Sequence, residues 1–227
     1  MTERFALGID IGGTQIRAAL VDGDGVVVKR GAVATNAAEG PDAIVRRVVE
    51  VAKELGSGAA MGQTTAIGAC APGPLDSDTG IVSEIATMPG WQNYPLRENL
   101  STAFGRSVLL ENDGIAAAFG EWKHGAGKGV QNLVYVTVST GLGGGVVVDG
   151  HLLRGARGMA GHVGHMMISP DGPRCGCGGR GCFEAFASGT NFAIAGRAKG
   201  FSSGEAIVDA ARTGNAAALA LVDQEAR

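Results

Sequence analysis

The chain has 227 residues, of which 45% are hydrophobic and 18% charged, and its formal net charge is −3. That length is enough for one large domain or two small ones with a buried core. The weakly acidic charge, without a basic stripe, argues against a nucleic-acid partner. No apolar run approaches the ~20 residues that span a bilayer, and the first residues lack a secretory signal pattern. We therefore expect a cytoplasmic protein with no membrane partner.

The first half of the chain predicts an α/β arrangement that opens with strands joined by tight turns. Strands are expected at 5–11, which enters a glycine turn, and at 15–22, where apolar residues alternate. The hairpin signal at 22–25 predicts a third strand at 26–33. A helix is expected to begin at Pro41, since apolar residues recur on one helical face down to Leu55. The pattern then predicts a strand at 64–70, a loop at 71–74, a helix at 96–104, a strand at 107–111 and a helix at 113–122.

The segment 132–155 repeats the opening of the chain at an offset of 127 residues. Both copies run strand, small-residue turn, strand, Asp-Gly turn, strand. We interpret this as two similar subdomains, 1–122 and 123–227, each with a phosphate-binding hairpin at a cleft. The alternative is that two unrelated glycine-rich hairpins resemble each other. The rest of the second half predicts helices at about 189–199, 204–213 and 215–227.

Two turns have the composition of phosphate-binding loops. Glycines let backbone N–H groups approach phosphate oxygens, and a hydroxyl adds a further donor. A carboxylate at a strand end can hold Mg²⁺, usually through water. An ordinary hairpin turn is the alternative, but the second copy favours phosphate binding. The candidate phosphate and Mg²⁺ residues are Asp10, Gly12, Gly13, Thr14, Ser139, Thr140 and Gly141.

Three of the four cysteines lie within eight residues, at Cys175, Cys177 and Cys182, and His165 precedes them by ten positions. Thiolates and an imidazole at this density are typical of tetrahedral zinc. In a cytoplasmic protein, clustered cysteines bind metal more often than they form disulfides. The fourth cysteine, Cys70, stands alone at the end of an apolar segment and is interpreted as a small core residue.

The motif-bearing segments are 7–23, 72–74, 111–113, 139–145 and 175–182. The first resembles the phosphate motif of the sugar-kinase/actin-like superfamily, and together they resemble the ROK family of bacterial sugar kinases and sugar-responsive repressors. The resemblance covers nearly the whole chain, with the motifs in the family's order. It implies an actin-like, ribonuclease H-like duplicated α/β fold, in which two subdomains flank a cleft and a zinc-braced loop lines one of them.

The resemblance also implies roles for individual residues. Asp113 becomes the catalytic base and Asn112 a sugar contact, although their position before a helix would by itself predict an N-cap. His165 becomes the fourth zinc ligand and a possible sugar contact. Glu184 becomes a sugar-binding residue, although a carboxylate in the first turn of a helix is also favourable without any ligand.

The sequence departs from the family pattern at His162, where ROK sugar kinases usually carry a sugar-binding glutamate. Histidine cannot accept two hydrogen bonds as a carboxylate does, so we expect sugar specificity to change. An extra metal ligand is the alternative for His162. The chain also ends before the family's last helices, strand and adenosine-holding Gly-Gly turn. From this we expect a truncated second subdomain, an incomplete nucleoside pocket and uncovered apolar surface.

These features predict an ATP- and Mg²⁺-dependent kinase for a hexose, glucose foremost, with a structural zinc. An amino sugar, fructose or a cyclitol also fits the residues. The resemblance implies a dimer or tetramer. A sugar-sensing repressor is the non-enzymatic alternative, but such repressors carry a DNA-binding module ahead of the first strand, where this chain has only a few residues. Polyphosphate as phosphoryl donor is a further alternative.

Overall fold

The computed structural model describes residues 4–55, 63–85 and 88–226. The chain forms two compact units: unit 1 comprises Met1–Ala116 with Arg154–Met159, and unit 2 comprises Ala117–Leu153 with Ala160–Arg227. The subdomain boundary expected after residue 122 stays a prediction. No helix among the described residues combines the length and apolar character that crossing a membrane would require.

The regular elements alternate between strands and helices along the chain. The strands are β1 Phe5–Ile11, β2 Gln15–Val21, β3 Val27–Ala34, β4 Thr64–Ala71, β5 Leu75–Asp76, β6 Ile81–Glu84, β7 Gln92–Tyr94, β8 Leu109–Asn112, β9 Leu133–Val138, β10 Leu142–Val148 and β11 His151–Leu152. The helices are α1 Pro41–Leu55, α2 Leu96–Phe104, α3 Asp113–His124, α4 Phe183–Ala187, α5 Gly189–Arg197, α6 Gly204–Arg212 and α7 Ala216–Ala226. Short 3-10 helices occupy Ala37–Glu39 and Val163–His165.

The predicted elements are confirmed with ends that differ by at most two residues, within the part of the chain that the structure describes. The last position of the final predicted helix, residue 227, lies outside the described residues. The sheet formed by β5, β6 and β7 was not predicted. Its strands have two, four and three residues, which is too short for a period-two pattern to emerge.

Unit 1 is built on a five-stranded mixed sheet with the order β3-β2-β1-β4-β8. Strand β1 pairs antiparallel with β2 and parallel with β4, and β4 pairs parallel with β8. Helix α1 packs its apolar face on this sheet and buries Ile44, Val48 and Val51. Because β1, β4 and β8 run in one direction, their carboxyl ends meet at one edge.

Unit 2 contains an antiparallel sheet with the order β11-β10-β9. The repeat predicted from the sequence is therefore present as two strand–turn–strand–turn–strand units. At the repeat offset, Leu7, Ile9 and Ile11 of β1 correspond to Val134, Val136 and Val138 of β9. The β1 residues are 1%, 4% and 0% exposed, whereas the valines are 62%, 44% and 63% exposed. Helix α1 has no equivalent on this face of β9 among the described residues, which leaves the expected apolar surface open.

The equivalent pair Ile9 and Val136 provides a stability test of this difference. Ile9→Ala should lower the free energy of unfolding by about 2–4 kcal/mol, because it leaves a cavity in the unit 1 core. Val136→Ala should lower it by less than about 1 kcal/mol, since the side chain is already hydrated. Urea unfolding of both variants measures the difference. Equal losses would mean that the two strands are equally covered in solution.

Candidate active site and metal centre

The candidate active site of unit 1 lies where β1, β4 and β8 end. The parallel register sets Asp10 beside Cys70 and Cys70 beside Glu111. The Cys70 thiol donates to Oδ1 of Asp10 at 3.6 Å, and Nη1 of Arg17 donates to Oδ2 at 3.2 Å. Cys70, expected in the core, is instead half-buried at this edge. Burial, reinforced by the neighbouring acidic groups, raises the pKa of its thiol, so the thiol remains a donor at neutral pH.

Asn112 is the last residue of β8 and Asp113 the first of α3, and their side chains make different contacts. Asn112 is buried, and its Oδ1 accepts the backbone N–H groups of Gly114 at 3.0 Å and Ile115 at 3.2 Å. This is the N-cap of α3 that the spacing predicted. Asp113 is exposed and its Oδ1 accepts the Gly114 N–H at 2.8 Å. The Asp113 carboxylate therefore retains accepting capacity for a ligand hydroxyl.

The pKa of the Asp113 carboxyl is raised. Burial is the largest cause: the residue keeps an accessible surface, but the surrounding protein limits hydration of its carboxylate. The negative charge of Asp10 raises the pKa further, while the Gly114 N–H opposes the shift. A carboxylate in this environment is a stronger base than a free aspartate.

Glu111 is a site residue to which the sequence assigned no separate role. Its Oε1 accepts the Ser77 hydroxyl at 2.5 Å and the Asn112 N–H at 3.0 Å. Its Oε2 accepts Nε of Arg154 at 2.6 Å. These contacts fix the segment that carries Asn112 and Asp113. No local sequence pattern predicts these contacts of Glu111, because Ser77 and Arg154 lie 34 and 43 residues away along the chain.

The first glycine turn joins β1 to β2. The Gly12 N–H donates to the carbonyl of Gln15 at 3.0 Å. A Cβ at Gly12 would lie 2.9 Å from that carbonyl oxygen, so the closure of the turn requires glycine. Gly13 and Thr14 are exposed at the tip, where their backbone can meet a ligand.

The second glycine turn joins β9 to β10. The Ser139 N–H donates to the Gly141 carbonyl at 2.9 Å. Two residues at the start of α5 donate to carbonyl groups of the turn. The Gly189 N–H donates to the Ser139 carbonyl at 2.8 Å, and the Thr190 hydroxyl donates to the Thr140 carbonyl at 2.8 Å. The second turn is thus anchored through its carbonyl groups.

The ligand atoms of His165, Cys175, Cys177 and Cys182 all lie within 4.8 Å of one another. The Cys177 and Cys182 sulfurs are 3.7 Å apart, and Cys175 Sγ is 3.8 Å from Nδ1 of His165. Zinc–sulfur bonds of about 2.3 Å in a tetrahedron set sulfurs about 3.8 Å apart. The donor set and its spacing therefore fit a four-coordinate zinc.

Protonation of the thiols bears on metal binding. In the metal-free cluster, burial raises the pKa of Cys175 to about 12, whereas the N–H of Gly179 is the main cause that lowers the pKa of Cys177. Zinc binds thiolates, so binding at neutral pH must displace protons from this cluster.

Glu184, in the first turn of α4, connects the cluster to the second turn. Its Oε2 accepts the Leu142 N–H at 2.9 Å, and its Oε1 lies 3.7 Å from Cys175 Sγ. A Cβ at Gly141 would lie 2.6 Å from Oε2, so glycine at this position lets the carboxylate reach the strand. This link was not predicted.

His162 is half-buried and precedes the 3-10 helix that carries His165. The centroids of the two imidazole rings are 6.2 Å apart. The four-residue metal cluster does not include His162, so nothing in the geometry favours the alternative of an extra ligand.

A groove of about 860 Å³ opens within unit 2 beside the second turn. Ser139 and Thr140 line one side, and the N-terminal residues of α5 and α6 line the other. Its lining also contains Arg197 and Arg212, the ring of Phe192 and the carboxylates of Glu205 and Asp209, of which Asp209 pairs with Arg212 at 3.2 Å. Guanidinium groups attract anions, but the two carboxylates offset their charge, so the charged residues of the lining sum to zero.

These features define one class of protein. It has a mixed α/β fold, two glycine-rich hairpins, a pair of aspartates at strand ends and a Cys₃His cluster. The sequence profile of the ROK family matches residues 6–227. The chain belongs to the ROK family.

Individual relatives agree with this assignment. The chain is 40% identical over 184 residues to a glucokinase from Thermotoga maritima, covering 81% of this chain and 57% of that protein. It is 39% identical to an N-acetylmannosamine kinase from Citrobacter koseri, covering 97% and 74% of the two chains. A ROK family glucokinase from Streptomyces griseus, solved with glucose and AMPPNP, matches with a TM-score of 0.84 and 32% identity over 98% of this chain and 75% of that one. The chain spans less than two thirds of the length of the T. maritima glucokinase.

The metal centre predicts one tightly held zinc per chain. Purified protein should contain about one equivalent, and Cys177→Ser should lose most of it because three protein ligands remain. Cys70→Ser serves as the matched control and should retain the full equivalent. Elemental analysis after dialysis measures both. Equal zinc contents in the two variants, or no zinc in the parent, would contradict the site.

Proposed function

We propose that the protein catalyses ATP- and Mg²⁺-dependent phosphorylation of a sugar, with Asp113 as general base. The observation that carries the proposal is the geometry of the strand edge, where Asp113 has an exposed, more basic carboxylate near the charge of Asp10 while Asn112 caps the helix. In phosphoryl transfer, protein groups mainly orient the nucleophile and neutralise charge. The Asp113 carboxylate would orient the nucleophile, because it can accept the proton of the sugar hydroxyl.

The two glycine turns would bind the phosphates and help to neutralise their charge. Gly12, Gly13 and Thr14 in unit 1 would bind phosphate oxygens, as would Ser139, Thr140 and Gly141 in unit 2. Asp10 would hold Mg²⁺ through water, and the ion would neutralise phosphate charge. ATP as the phosphoryl donor is supported by the similar ROK family glucokinase that was solved with AMPPNP.

The sugar would contact Asn112, whose Nδ2 group is not used by the helix cap, together with His162, His165 and Glu184. Zinc at the Cys₃His cluster would be structural, since four protein ligands leave no open position for a reactive water. It would fix His165 and the loop ahead of Glu184, so that these side chains are already oriented when the sugar binds.

Glucose is the leading substrate, because glucokinases are among the most similar relatives. N-acetylmannosamine is the second candidate. Two observations favour it: kinases for that sugar are 39–40% identical to this chain, and His162 stands where a sugar-binding glutamate was expected. A cytoplasmic homo-oligomer, as family resemblance implies, completes the proposal; that it has no nucleic-acid partner rests on the net charge of −3 without a basic stripe.

Asp113→Asn tests the catalytic role. The variant should reduce kcat by at least about 10³-fold, because an amide cannot accept the hydroxyl proton. Its sugar affinity should change by less than about threefold, and α3 should stay folded because Asn112 still caps it. A coupled ADP-release assay with hexoses, N-acetylmannosamine and cyclitols measures turnover, and calorimetry measures binding. Retained turnover would refute the assignment of the base, and a full-length protein that phosphorylates nothing would refute the kinase proposal.

His162→Glu tests the determinant of sugar choice. Restoring a carboxylate should shift the ratio of kcat/KM between glucose and N-acetylmannosamine toward glucose by about tenfold or more, since polar contacts in a sugar site discriminate strongly. His151→Glu, which introduces the same charge at an exposed position, is the matched control and should leave the ratio unchanged. An unchanged ratio in His162→Glu would mean that this residue does not select the sugar.

A further inference from the structure

We propose that Thr35 is a positioning residue for the first phosphate turn and sets the affinity of the protein for the phosphates of its donor. The inference rests on the proposed function, because it concerns the first phosphate turn. Thr35 itself lies outside the turn motif. Thr35 follows β3 and is completely buried. It lies 23 residues away in sequence from the glycine that it contacts.

Thr35 holds the turn through two hydrogen bonds. Its hydroxyl donates to the Gly12 carbonyl at 2.7 Å, and its backbone N–H donates to the Thr14 carbonyl at 2.9 Å. A trans peptide unit points its C=O and N–H groups in opposite directions. With the Gly12 carbonyl drawn inward toward Thr35, the N–H of Gly13 in the same peptide unit must point outward, where the turn is exposed.

Thr35 is itself fixed from α1. Nη1 of Arg47 donates to the Thr35 carbonyl at 3.0 Å, and Nη2 of the same guanidinium is paired with Glu39. The Arg47 side chain is only 19% exposed, so this contact is better shielded than an ordinary surface ion pair. The chain of contacts from α1 to the turn therefore restrains the direction of the Gly13 N–H before a ligand arrives.

The second turn also has a threonine hydroxyl on one of its carbonyl groups, at a neighbouring position of the repeat. There the Thr190 hydroxyl donates to the Thr140 carbonyl at 2.8 Å, which turns the Gly141 N–H of that peptide unit away from α5. Thr35 and Thr190 do not correspond at the repeat offset. At that offset Gly12 corresponds to Ser139, so the two hydroxyls anchor neighbouring rather than equivalent peptide units, and each directs one N–H group away from its anchor.

The test is the affinity of the 227-residue chain for Mg–AMPPNP and Mg–tripolyphosphate, measured by calorimetry. Thr35→Val removes the hydroxyl at nearly constant volume and should weaken both ligands about tenfold, because the Gly13 N–H loses its fixed direction. Thr35→Ser retains the hydroxyl and should bind within about twofold of the parent. Using tripolyphosphate beside AMPPNP separates the phosphate contacts from any contribution of the nucleoside.

Thr65→Val is the matched control. It removes a threonine hydroxyl that donates to the Phe5 carbonyl at 3.1 Å, in the same sheet but at the opposite ends of the strands. Thr65 is exposed, so the change should cost less stability than Thr35→Val, and it should leave phosphate affinity unchanged. If Thr35→Val does not fold, Arg47→Met takes its place; it releases the Thr35 carbonyl and should weaken both ligands severalfold.

The outcomes separate this inference from the proposed function. Equal affinities of the parent and Thr35→Val, or equal weakening in Thr65→Val, overturn the role of Thr35. A parent chain that binds neither ligand also overturns it, because the turn would then hold no phosphate. A parent that binds both ligands yet phosphorylates no sugar overturns the proposed kinase activity alone, and the affinity ratio still decides the role of Thr35.

Discussion

Parallel pairing of β1, β4 and β8 is the constraint on which the unit 1 site depends. The register aligns Asp10 with Cys70 and Cys70 with Glu111, so that residues separated by 60 and 41 positions end at one sheet edge. Asp113 follows one residue beyond β8, at the start of α3. A slip of one residue in any pairing would send these side chains to the opposite face of the sheet. The apolar face of α1 against β1 holds that register, because a slip would also expose Leu7, Ile9 and Ile11.

Around this frame, the functional groups are oriented by hydrogen bonds to backbone atoms. Asn112 caps α3, Thr35 and Thr190 hold turn carbonyls, and Glu184 accepts the N–H of β10. Each contact uses a side chain to fix a peptide unit, which leaves the opposite group of that unit or a neighbouring side chain to meet a ligand. Such orientation before binding is the main contribution a protein makes to phosphoryl transfer.

Sequence patterns predicted the elements with strong periodicity and the motifs whose residues are adjacent. Helix α1 and the strands of the main sheet follow from the spacing of apolar residues, and the Cys₃His cluster follows from three cysteines in eight residues. The short strands β5 to β7 were missed because two to four residues carry no period. Thr35 was missed for a different reason: its role depends on β3 reaching the turn through sheet pairing, which a local pattern does not encode.

The pH dependence of kcat/KM for the sugar tests the central claim most directly, namely that the strand edge sets Asp113 beside Asp10 as a more basic carboxylate. The base must be ionised, and its raised pKa means that activity is lost as the pH falls through that value. The acid limb should therefore have unit slope and a midpoint above the ordinary aspartate value of about 3.9. Circular dichroism at each pH excludes unfolding. Activity that stays constant down to the ordinary aspartate value would contradict the account.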